Sequence, residues 1–60
     1  MRVQIPAYTD RWMMGDRYGE VVKVTEHQHQ DGWEYEIARV KLDKSGKTVK
    51  VILADCEVVS

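Results

Sequence analysis

Three side chains with metal-ligating chemistry recur at alternate positions, His27, His29 and Asp31. On an extended backbone such a set projects to one side. Two imidazoles and a carboxylate at that spacing would suit Zn²⁺ or Ni²⁺. They lie, however, in the polar run His27 to Gly32 (HQHQDG), which ends in Asp-Gly and reads as a solvated hairpin tip. No metal is therefore assigned. Cys56 would need a histidine base beside it to act as a nucleophile, and both histidines are remote in sequence. Its neighbours Asp55 and Glu57 disfavour a thiolate, so the expectation is a small buried core residue. Asp10 and Asp16 read as capping groups, one for a turn after Thr9 and one near Gly15. Gly15, Gly19, Gly32 and Gly46 are scattered and form no phosphate loop. No catalytic residue and no cofactor is expected.

Binding residues are more plentiful. From Arg39 to Lys50 the chain carries Arg39, Lys41, Lys44, Lys47 and Lys50 against Asp43 alone, a local charge of +4. The whole chain is at −1, so the remainder carries −5. That basic hairpin would contact nucleic-acid phosphates, meet an acidic protein partner, or simply keep an outer sheet face soluble. Tyr8, Trp12, Met13 and Met14 crowd a second segment, which with Trp33 and Tyr35 is the expected contact surface for a protein partner or a second copy.

These side chains must be placed by a single small domain, residues 1–60. Hydrophobic residues make up 43% and charged residues 32%, the mix of an ordinary globular protein. Domains below about 70 to 80 residues rarely obtain more than roughly 3–5 kcal/mol from one core, so either an efficient barrel or self-association is required. One cysteine excludes an internal disulfide. No apolar run approaches the roughly 20 residues that cross a membrane, and nothing at the start resembles a signal peptide. The expectation is a cytoplasmic protein, and the size fits a short accessory protein of a bacterial or phage genome.

Alternation predicts a strand over Arg2 to Ile5, closed by Pro6. A short helical turn from Thr9 to Gly15, or an open loop, follows. Val21, Val22, Val24 and Thr25 predict a strand over Arg17 to Glu26, with Gly19 marking a bend or a close approach. The longest strand is expected over Trp33 to Leu42. Trp33, Tyr35 and Ile37 share one of its faces and Ala38, Val40 and Leu42 the other, so a bulge near Ile37–Ala38 would turn both sets inward. A tight turn at Asp43–Gly46, a strand over Lys47 to Leu53, a 3₁₀ turn at Ala54–Cys56 and a last strand over Glu57 to Val59 complete the series.

Strand order, together with Gly15-Asp16-Arg17 and Leu53-Ala54-Asp55-Cys56-Glu57-Val58, resembles the SH3-like small β-barrel over essentially the whole chain. An OB-fold is the alternative. Met14-Gly15-Asp16-Arg17 is also similar to the Met-Gly-Asp-Arg that opens the barrel of plasmid-borne type II dihydrofolate reductases. That family is a homotetramer whose pore binds folate and NADPH through a Gln-Ile-Tyr triplet. The corresponding stretch here is Val49-Lys50-Val51-Ile52, so this resemblance implies a fold and not the reaction. The acidic loops and Ala-Leu-Tyr-Asp-Tyr-like motif of peptide-binding SH3 domains are missing too. An all-β, SH3-like barrel of about five strands acting as a non-enzymatic binding or assembly module is the expectation, with nucleic-acid binding through the basic hairpin as the alternative.

Overall fold

A computed structural model describes residues 1–59. Five antiparallel strands form one sheet: β1 (Arg2–Gln4), β2 (Tyr18–Gln28), β3 (Glu34–Leu42), β4 (Thr48–Ile52) and β5 (Glu57–Val58). Their spatial order is β4-β3-β2-β1-β5, and the outer strands β4 and β5 are not paired with each other. The protein is all-β with an open sheet. Among the described residues there is one short helix, α1 (Asp10–Met13), and a 3₁₀ turn over Leu53–Asp55.

Burial follows the alternation of β3. Ala38, Val40 and Leu42 are buried with Val3, Ile5 and Val51, and Trp12, Val21, Val49, Leu53 and Cys56 pack against that cluster. The core is small and lies under one end of β2 and β3. Gly19 is needed where β2 crosses β3, since a Cβ there would sit 2.5 Å from the Lys41 carbonyl oxygen and 2.6 Å from Val40 Cγ1.

Two expectations about strand geometry are overturned. The register shift falls in β2, between Val21 and Lys23, and β3 runs from Glu34 to Leu42 without a bulge. Val22 is the extra residue and is 55% exposed. As a result Trp33, Tyr35 and Ile37 stay on the face opposite Ala38 and Val40, and Trp33 is exposed. The polar run is also less of a loop than its composition suggests. His27 and Gln28 pair with Tyr35 and Glu34, and the turn itself is closed by His29 N–H donating to the Trp33 carbonyl at 2.8 Å. Gly32 supplies the positive φ, 93°, that this turn requires. Beyond its pairing with β1 and β4, the β2–β3 ribbon therefore projects from the body of a molecule measuring 36 × 20 × 18 Å.

At the other end, Thr9 caps α1 by accepting the Trp12 N–H at 3.3 Å, as Thr-x-x-Trp spacing allows. Gly15 follows with φ 89°. Arg17 then lies over the Trp12 ring, its guanidinium carbon 4.5 Å from the centroid. Asp16 is buried, but it does not cap the turn at Gly15. Its carboxylate accepts the main-chain N–H groups of Lys44 and Ser45 at 3.2 and 3.1 Å, pinning the β3–β4 turn to the segment before β2. Hydrogen bonding from Ser45, with the Lys44 N–H and the Arg11 charge adding to it, holds the Asp16 carboxyl below the usual carboxylate value against the opposing effect of burial.

Candidate functional site

The register of β2, β3 and β4 sorts the ribbon into two chemically distinct faces. On the face away from the core, Lys23, Arg39 and Lys50 form one row across three adjacent strands. Strands are about 4.8 Å apart, so the backbone positions of these three residues span roughly 10 Å. All three are exposed. The ion pairs among the described residues involve the amino terminus, Arg2 and His29, and none of them engages Lys23, Arg39 or Lys50. Thr25, Ile37 and Ile52 make the next row. A shallow groove of about 410 Å³ runs over this part, lined by Lys23, Thr25, His27, Ile37, Arg39 and Lys50.

Further along the same face the rows become aromatic. His27 stacks on Tyr35 with centroids 5.5 Å apart and planes at 19°. His29 stacks on Trp33 at 4.5 Å and 11°, and Trp33 meets Tyr35 at 5.2 Å and 48°. The four rings form a ladder that is partly open to solvent. The His27 Nε2 lies 2.9 Å from Thr25 Oγ1. His29 Nδ1 accepts the Asp31 N–H at 3.2 Å, and these local bonds use a nitrogen on each ring. Among the described residues no group of three or more His, Cys, Asp or Glu side chains is arranged to hold a metal ion.

The opposite face of the ribbon is acidic. Glu26 and Glu36 are directly paired across the strands, beside Gln28 and Glu34. Like charges in that relation destabilise a sheet, so propensity alone does not account for them. These carboxylates line a cleft of about 590 Å³ that also includes Trp33, Tyr35 and Asp55.

The residues expected to form one contact surface come from two segments, the one around α1 and the ribbon. Tyr8, Met13 and Met14 are exposed near α1, at 68, 78 and 65%. Trp12 is half-buried against the core and under Arg17. Trp33 and Tyr35 are on the β2–β3 ribbon, where they line one cleft with Asp55. The Tyr8 hydroxyl donates to Asp55 at 2.6 Å, and this bond raises its pKa. The basic set is divided as well: Arg39 and Lys50 are neighbours, Lys41 faces Thr48 one row away, and Lys44 and Lys47 lie at or beside the β3–β4 turn. Sequence reasoning missed Lys23, because the bulge at Val22 changes which residues of β2 face Arg39. It also missed that the aromatic and basic sets share a face.

Cys56 is half-buried, not enclosed in the core, and its thiol lies 3.6 Å from the Ile52 carbonyl. Burial, with Asp55 adding to it, pushes its pKa up. No helix among the described residues is long and apolar enough to cross a membrane. Comparison with known proteins returned no matching family model, no matching curated protein and no matching solved structure.

Proposed function

We propose that this chain is a non-catalytic, intracellular nucleic-acid-binding module of the SH3-like barrel class, holding a single strand on the outer face of β2, β3 and β4. The observation that carries this reading is the continuity of that face: the exposed row Lys23–Arg39–Lys50 runs into the rings of His27, Tyr35, His29 and Trp33. Cations that track phosphates beside aromatic platforms are how single strands are held without sequence preference. The strand order β4-β3-β2-β1-β5, with a 3₁₀ turn before the last strand, supports the barrel class. Asp16 and Cys56 argue against a reaction centre, the first engaged by main-chain donors and the second kept as a thiol.

The test is fluorescence anisotropy of a labelled oligothymidylate at low and moderate salt, with the wild type and with Arg39→Glu plus Lys50→Glu. The wild type binds and the double variant does not. Absence of wild-type binding at low salt ends this reading.

A second reading rests on the exposed Tyr8, Met13 and Met14 beside α1, which fit contact with a protein partner or a second copy. Sedimentation of the wild type and of Met13→Glu plus Met14→Glu checks the second-copy form. A monomer in both removes self-association through this segment.

A further inference from the structure

We infer that the acidic side of the ribbon is a strand-docking site for an extended, lysine- or arginine-bearing segment of a partner protein. The carrier is an unfinished edge. β4 ends at Ile52, opposite Ile37, and the chain passes into the 3₁₀ turn Leu53–Asp55, which borders β3 without pairing with it as a strand. β3 continues for three more residues, Glu34 to Glu36, with no strand beside them on that side. Main-chain direction alternates along β3. Leu42 N–H donates to Lys47 toward β4, and the Trp33 carbonyl accepts from His29 toward β2. By that alternation the N–H and C=O of Glu34 and Glu36 point out of the free edge. Such an edge is a template for an added strand.

The cleft along this edge, about 590 Å³, selects the occupant by charge. Glu26, Glu34, Glu36 and Asp55 line it, and the like-charged pair Glu26–Glu36 is relieved when a cation comes between them. Trp33 and Tyr35 also line this cleft and add apolar contact for the stems of such side chains. An added strand running antiparallel to β3 would place alternate side chains toward the carboxylates and pair its backbone with Glu34 and Glu36. A second copy of this chain and an acidic segment are the competing occupants. The carboxylates Glu26, Glu34 and Glu36 are on the face opposite the basic row, whereas Trp33 and Tyr35 border the cleft from the face of that row.

The experiment is an amide-resolved NMR titration of the whole chain with a short acetylated peptide alternating lysine and valine. Saturable shifts are expected at Glu34, Tyr35 and Glu36. Glu34→Lys plus Glu36→Lys weakens binding roughly tenfold or more, and peptide N-methylation on the edge-facing positions abolishes it. Glu36→Gln gives an intermediate loss and keeps a near-native surface, which guards against a misfolded variant. Oligonucleotide binding is unchanged in Glu36→Gln. The proposal is overturned if a glutamate-for-lysine peptide binds equally well, if the N-methylated peptide binds as the parent does, or if the three amides do not move. It is also overturned if sedimentation shows a dimer that Glu36→Lys dissociates, since the edge then belongs to a second copy.

Discussion

His29 lies flat against Trp33 across the turn that joins the two longest strands, ring centroids 4.5 Å apart and planes within 11° of parallel. An isolated two-stranded ribbon is marginal in water. This stack, with His27 on Tyr35 behind it, is what orders the projecting end. Trp33→Ala removes an interaction worth about 0.5–1.5 kcal/mol. Its expected effect is local opening, not global unfolding. Hydrogen exchange at the His29 and Gly32 amides becomes roughly three- to tenfold faster. Amides of β3 beside β4 are unaffected.

The basic row makes a quantitative prediction about salt. Each phosphate neutralised on a single strand contributes about −0.7 to the slope of log K against log salt. Lys23, Arg39 and Lys50 acting together give a slope near −2. Replacing Arg39 and Lys50 by Gln reduces its magnitude by roughly 1.4. Anisotropy titrations at several salt concentrations read this directly, and an unchanged slope removes these residues from the interface.

Gly19 has no room for a methyl group, because the obstacles are the Lys41 carbonyl and the Val40 side chain inside a paired ladder. Gly19→Ala therefore forces β2 away from β3. The expected loss is about 1–3 kcal/mol, read as a lower denaturation midpoint in urea. Gly32→Ala makes no close contact and acts only through its positive φ, so it costs less.

Asp16 couples folding to pH. Its folded pKa is lowered from the ordinary 3.8 by hydrogen bonding from Ser45 and Lys44. The stabilisation is accordingly complete above the unfolded value and is lost as pH falls through the lower folded value. Thermal midpoints measured from neutral to strongly acidic pH should fall across that window in the wild type. Asp16→Asn has a lower midpoint at neutral pH and lacks this component of the acid-dependent fall.

Local chemistry made much of the fold legible. Thr9 and Gly15 bracket the helical turn, Asp31-Gly32 and Ser45-Gly46 mark both hairpins, and the alternation of Val49 and Val51 identifies the inward side of β4. The position of the bulge was not legible. Val21 and Val22 have the same β propensity, and only pairing against Val40 and Arg39 makes Val22 the extra residue. The same cause hid the candidate site. Lys23 joins Arg39 and Lys50 through inter-strand register, which no spacing within one segment encodes. Likewise, Trp33 and Tyr35 were expected inward because a bend in β3 would have buried them. Trp33 is exposed and Tyr35 half-buried because the bend is in the other strand.

Val22 has a consequence for how this surface varies. One residue absorbs the mismatch between β2 and β3, bends the strand locally and contributes little to the core. Removing it leaves Val21 opposite Val40 and Lys23 opposite Arg39, so cations and carboxylates keep their sides. Only the inclination of the ribbon to the body changes. Reach and chemistry are thus separately adjustable: a single codon sets the angle at which two oppositely charged faces are presented, without rewriting either of them.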